Sequence, residues 1–207
     1  MNIPKLPELA FDERTHIYKL NGIQIPSVTM IMRPLSAAYY GGIDENILAT
    51  AAKRGKDVHN AIENWLKFQV DDIPPENESY YQAFKSWWDE KKPKRIESEG
   101  RVYHKILRYA GTADLLCMLD DPTVGGLLYG IDFKTSAQIV EMLVRVQLEA
   151  YERAYQSHGI GFDAKAVVHL RKDGTWEMKT FPAGEMEPWE VFCGLLTAHN
   201  YLSKYRR

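Results

Sequence analysis

Three polar side chains interrupt apolar runs at positions where they can act together. In Tyr129-Gly130-Ile131-Asp132-Phe133-Lys134-Thr135-Ser136, side chains alternate across a strand, so Asp132 and Lys134 share one face while Ile131 and Phe133 share the other. The run from Leu127 to Ile131 is apolar, which predicts an interior strand ending in an acid and a base. Charges in such a place need a partner or a metal. Gly111-Thr112-Ala113-Asp114-Leu115-Leu116 puts a second carboxylate into an apolar strand. If the two strands are neighbours, Asp114 and Asp132 meet, and their repulsion keeps one protonated unless a cation lies between them. Hard oxygen ligands suit Mg2+ or Mn2+. Plainer readings stand beside this one: Asp132 and Lys134 as a surface ion pair at a strand end, and Asp114 as a turn cap after Gly111.

Two helical segments carry further polar groups. Gly55, His59 and Glu63 recur at four-residue spacing and so share a helix face, where the glycine would let another backbone approach. Gln147 and Tyr151 are one turn apart in the segment that follows the Asp132–Lys134 strand, and their polar ends could reach a phosphate or a base. Taken alone, a lone helical histidine is more often structural, and Gln147 with Tyr151 more often a partly buried helix surface. Lys53, Arg54 and Lys56 can track a phosphate backbone by charge, or simply form a solvated face. Trp65 and the Trp87-Trp88 pair suit a core better than a base-stacking platform, and Glu99 is a carboxylate with no assigned partner.

The elements that must position these groups follow from periodicity and turn residues. A hairpin is predicted over 15–28, turning at Asn21-Gly22, with Ile23, Ile25 and Val28 in its second strand. Asp44 caps a helix over 44–69 whose apolar stripe is Ile47, Leu48, Ala51, Val58, Ile62, Trp65 and Leu66. A second helix spans 77–91. Three strands follow (96–107, 109–119, 127–134), then a helix over 138–157 and a hairpin of 162–171 with 175–181. A closing helix over 185–204 has Trp189, Phe192, Leu195, Leu196, His199 and Tyr201 as its apolar content. This order predicts an α/β (α+β) domain with a central mixed sheet flanked by helices.

Composition narrows the classes. With 207 residues, 45% hydrophobic and 26% charged, the chain can bury a substantial core, and disorder does not dominate. A net charge of -2 gives no overall basic signature, so any nucleic-acid contact needs a local basic strip. Cys117 and Cys193 are too few for a cysteine-ligated iron–sulfur cluster or a structural zinc site, and suit two buried free thiols in a reducing compartment. No apolar run spans a membrane and no signal-peptide pattern opens the chain, so a soluble intracellular protein of the cytoplasm is expected.

Taken in order, Gly55-x-x-x-His59, Gly111-Thr112-x-Asp114, Asp132-x-Lys134-Thr135 and Gln147-x-x-x-Tyr151 resemble the RecB-like branch of the PD-(D/E)XK nuclease superfamily. His16-Ile17-Tyr18, Asn21-Gly22 and Pro26-Ser27-Val28-Thr29 look like the lead-in of its bacteriophage and mitochondrial members. The resemblance implies a restriction-endonuclease-like core, with residues 1–43 as lead-in and 44–207 as catalytic core of one domain. It implies that Asp114, Asp132 and His59, with the Phe133 carbonyl, hold Mg2+ or Mn2+, and that Lys134 acts on the attacking water. Arg54, Thr135, Ser136, Gln147 and Tyr151 would then meet the nucleic acid, and Glu63 could serve a second metal. Ala113 stands where the family pattern has proline. The four-cysteine cluster of some relatives is missing, as is any Walker motif, so the implied protein is a standalone, ATP-independent DNA exonuclease of recombination, repair or replication. An endonuclease, or a non-catalytic nucleic-acid-binding module, are the alternatives. Single- or double-stranded DNA is the implied partner, with a homo-oligomer or a single-strand-binding or annealing protein as further possibilities.

Overall fold

A computed structural model describes residues 3, 6–121 and 123–205. The fold is α+β: a five-stranded mixed sheet flanked by helices, consistent with a restriction-endonuclease-like core. The sheet runs β4 (Lys94–Tyr103), β5 (Ala110–Asp121), β6 (Gly125–Lys134), β7 (Ala164–Leu170), β8 (Trp176–Pro182), in that spatial order. Among the described strands of this sheet, β6 and β7 are the one parallel pair, and their crossover is helix α5 (Glu141–Gln156). β6 is therefore the central strand, as its apolar run predicts.

The two faces of the sheet are packed by different helices. Ile131 and Phe133 face α3 (Glu45–Phe68) and α4 (Glu78–Lys91) in a core with Phe84 and Trp87. Each such aromatic, fully buried, contributes about 1.5–3 kcal/mol. Trp87 is wholly buried and Trp65 and Trp88 pack against the same core, so all three tryptophans are structural. The other face meets α5 and α6 (Met186–Ser203) through Leu116, Leu128, Tyr155, Phe162 and Phe192.

Several boundaries differ from the expectations, each for a local reason. The N-terminal piece is a three-stranded sheet, because β1 (Leu9–Asp12) adds to β2 (Ile17–Leu20) and β3 (Ile23–Ile25). Asn21 and Gly22 turn the hairpin at φ 51° and 81°. Val28 does not extend β3. It begins a short helix, α1 (Val28–Ile31), because Ser27 Oγ accepts from Met30 N at 3.1 Å and caps it. α2 (Arg33–Tyr40) follows, with Pro34 in its first turn. β4 ends at Tyr103 rather than at 107, since the His104 ring accepts from the backbone N–H of Ile106 and Leu107 and folds that stretch into a turn. α5 starts at Glu141, leaving 138–140 in a loop. On α3, burial begins only at Val58; Ile47 is 62% exposed because its end of the helix projects past the sheet core. On α6, Tyr201 faces solvent. Cys117 is buried and Cys193 half-buried, both as free thiols. No helix among the described residues is long and apolar enough to cross a membrane.

One charged cluster is sealed inside. Lys165, fully buried on β7, is ion-paired with Glu149, with Glu152 at 3.0 Å and with Glu185 at 3.5 Å. Arg153 Nε donates to Glu149 at 2.7 Å, Arg145 to Glu185 at 2.6 Å, and the Gly184 and Glu185 backbone N–H groups donate to Glu152 and Glu149.

Candidate functional site

The second charged cluster lies where β6 ends, β5 begins and α3 passes. Main-chain pairing between β5 and β6 runs up to Leu115–Ile131. Beyond that pair the strands part, and the Phe133 N–H donates instead to Asp114 Oδ2 at 2.7 Å. The carbonyl of the same residue accepts from His59 Nε2 at 3.0 Å. A carbonyl can only accept, so Nε2 carries a proton and Nδ1 faces Asp114 Oδ1, 3.4 Å away. The Phe133 carbonyl thus orients the histidine, the kind of outer hydrogen bond that fixes a ligand's tautomer.

Glu99 completes this cluster. It lies between the β4–β5 pairs Ser98–Leu115 and Gly100–Ala113, which places it across from Asp114. Its φ is 50°, a left-handed conformation that costs a non-glycine residue about 1–2 kcal/mol. His59, Glu99 and Asp114 offer ligand atoms all within 4.8 Å of one another. One imidazole and two carboxylates make a donor set that fits a hard or borderline divalent cation.

The electrostatics agree with that fit. Burial pulls the His59 imidazole down, but the charge and hydrogen bond of Asp114 override it and raise the ring to about 9. Burial and the Asp114 charge push the Glu99 carboxyl up to about 8. Burial opposes ionisation of Asp114 as well, yet His59, Lys134 and the Phe133 N–H hold it below the ordinary range. Near neutral pH, two protons therefore stabilise a two-carboxylate cluster that one divalent cation could stabilise instead.

Asp132 and Lys134 flank this cluster and share α5's side of the sheet. Lys134 Nζ lies 2.9 Å from Asp132 Oδ1 and 2.7 Å from Oδ2, and donates to Gln147 Oε1 at 3.3 Å. Gln147 Nε2 donates to Asp132 Oδ1 at 3.0 Å and to the Tyr151 hydroxyl at 3.2 Å. Asp132 Oδ2, buried, receives no well-aligned hydrogen bond. Burial raises the Asp132 carboxyl, with Lys134 opposing. Burial would lower Lys134, but Asp132 and Asp114 outweigh it, so the ammonium form is favoured.

All of these side chains line one cavity of about 240 Å³, whose remaining wall includes His16 and Tyr18 from β2 and Thr29 from α1. Tyr18 is fixed there by a 2.6 Å hydrogen bond between its hydroxyl and that of Thr112. Of the sequence-derived residues, His59, Asp114, Asp132, Lys134, Gln147 and Tyr151 thus converge, whereas Arg54, Thr135 and Ser136 do not line this cavity. Asp132 stands beside the three-residue donor cluster, engaged by Lys134 and Gln147, and Glu99 is the carboxylate that joins His59 and Asp114 in it. Tyr151 is buried and holds Gln147. Thr135 is buried too, its hydroxyl accepting from Arg54 Nε at 3.4 Å, and Ser136 Oγ donates to the Gln138 carbonyl at 2.8 Å. Glu63 lines the cavity but is paired with Lys67.

The glycines also sort differently from the expectation. A Cβ on Gly55 would meet only Thr135 Oγ1 at 3.8 Å, so no backbone approach demands glycine there. On Gly111 it would come within 2.4 Å of Tyr151 Cε1, so the Tyr151 ring occupies the space that a side chain would need.

No protein-family model matches the chain, and no curated protein matches it.

Proposed function

We propose that the chain is a divalent-metal-dependent, ATP-independent nuclease that hydrolyses phosphodiester bonds, with DNA as substrate. The observation that carries this reading is a single cavity holding a His59–Glu99–Asp114 donor cluster beside a buried Asp132–Lys134 pair. His59, Glu99 and Asp114 would hold Mg2+ or Mn2+, which would supply Lewis acidity toward water and a phosphate oxygen.

The chain's own groups supply the rest. Asp132 and Gln147 hold the Lys134 ammonium at the end of β6, where it can donate to a phosphate oxygen and offset charge developing on phosphorus. A lysine kept charged cannot first take a proton, so orienting water and stabilising charge are its roles, and proton acceptance falls to a carboxylate. The Phe133 peptide links the groups, since its carbonyl orients His59 while its N–H orients Asp114.

Action at DNA ends, and a role in recombination, repair or replication, follow from the sequence resemblance. Purified protein with Mg2+ or Mn2+ should shorten labelled linear DNA and spare a closed circle. Asp132→Ala and Lys134→Ala should abolish cleavage while circular dichroism stays native. Undiminished cleavage by Asp132→Ala would sink the assignment. Cation binding in calorimetry without turnover on any substrate would leave a binding module in its place.

A further inference from the structure

The acidic cavity does not end at Lys134. A second cavity of about 200 Å³ shares Thr29, Lys134 and Gln147 with it. That cavity in turn shares Tyr40, Ser136 and Val140 with a groove of about 570 Å³ between α2, the first turns of α3 and the 136–140 loop. The three adjoin one another about the end of β6. The groove differs in character from the acidic cavity. Tyr39, Ile43 and Ile47 on its rim are 48%, 40% and 62% exposed. Its lining contains no carboxylate, and its single charge is Arg54. That guanidinium is steadied over the Tyr80 ring at 5.1 Å and by Thr135, and among the described residues no carboxylate pairs with it.

We propose that this groove holds unpaired nucleotides of the strand whose phosphate lies at Lys134, so that the enzyme works on single-stranded or frayed ends. The proposal rests on the nuclease reading and adds its substrate class. A duplex presents phosphates and sugars and keeps its base faces stacked inside, so an apolar rim offers it little. Unpaired bases expose those faces, and aromatic and aliphatic side chains bury them. Arg54, unopposed, matches a phosphate between such bases.

The test is fluorescence anisotropy of the full chain with a labelled oligothymidine and with a blunt hairpin duplex, in EDTA and in Ca2+. Tyr39→Ala and Ile47→Asp, both at exposed positions, should weaken oligothymidine binding about tenfold, as loss of one stacked base does, while Tyr39→Phe restores it. Blunt-duplex affinity should not follow. If wild type cleaves DNA and all variants bind oligothymidine alike, the groove proposal falls and the nuclease reading stands. If the variants lose strand affinity but wild type cleaves nothing, the nuclease reading falls and the groove remains a strand-binding site. Absence of oligothymidine binding by wild type overturns the groove outright. A shift from dimer to monomer in ultracentrifugation with strand affinity unchanged would make the groove an interface between copies, and also overturns it.

Discussion

The protein buries charge in two places, and the two are balanced in opposite ways. Around Lys165, the carboxylates of Glu149, Glu152 and Glu185 meet the permanent cations Lys165, Arg145 and Arg153, and backbone N–H groups take up spare oxygens. Around Asp114, the carboxylates of Glu99, Asp114 and Asp132 meet one permanent cation, Lys134, and a histidine that is cationic only when protonated. The first cluster is balanced in charge by the protein's own cations, although Glu185 Oε2 accepts no hydrogen bond in it. The second is short of permanent positive charge, which bound protons make up near neutral pH, and it opens onto a cavity. Burial of charge alone therefore does not mark a functional site. What separates the two is whether the protein itself supplies all the counter-charge.

Several experiments can break this contrast or sharpen it. The largest effect on folding belongs to the sealed cluster: Lys165→Met leaves three carboxylates without their central cation and should cost about 3–5 kcal/mol in urea denaturation. A neutral result there would remove the distinction. In the open cluster, Glu99 is mainly protonated near neutral pH, so Glu99→Gln removes no charge there and the metal-free protein should melt no lower than wild type. The same variant should bind Mn2+ at least about tenfold more weakly by calorimetry, the low end of what losing even an outer partner of a ligand costs.

The pH dependence of stability has a definite sign. His59 is raised from 6.5 to about 9, so its contribution is complete below 6.5 and is lost as pH rises through 9. Glu99 is raised from 4.5 to about 8, so its folded form also favours the proton, and stability is lost between those values as pH climbs. Asp114 is lowered, and its contribution disappears only in acid. In EDTA, the melting temperature should thus fall from pH 6.5 to 9, and saturating Mn2+ should flatten that fall. A metal-free profile that rises over this interval would contradict the open cluster's electrostatics.

The smaller effects concern glycines beside the open cluster. Gly111→Ala must displace the Tyr151 ring, with an expected loss of about 1–3 kcal/mol and of the Gln147–Asp132 geometry, read as reduced cleavage. Gly55→Ala meets no obstacle and should stabilise α3 by up to about 1 kcal/mol in the same denaturation assay.

Much of this site was readable because strands alternate. The two-residue period put Asp132 and Lys134 on one face, and the apolar surroundings of Asp114 placed it in a strand that proved adjacent. The same signal, a charge inside an apolar strand, is carried by Lys165 in Ala164–Leu170, yet it marks a structural network. Sequence does not reveal which charges will be answered by distant residues. Glu99 stayed unassigned because the β4–β5 register shifts between Arg95 and Glu97, and because its left-handed backbone departs from simple alternation. The N-terminal helices were missed for a different reason. α1 has four residues and α2 eight, too short for periodicity to outweigh the extended look of Pro26-Ser27-Val28-Thr29.

Helix α5 joins the two clusters in one rigid rod. Gln147 and Tyr151 serve Asp132, while Arg145, Glu149, Glu152 and Arg153 serve the Lys165 network. The two sets alternate along fewer than three turns, so neither can be re-registered without the other. One residue inserted near Glu141 would rotate everything after it by about 100°. Point substitutions can alter these sets separately, but an insertion or deletion there disrupts both clusters in the same step. For library design, length variation belongs in the 136–140 loop or the hairpin tips, with α5 kept at constant length.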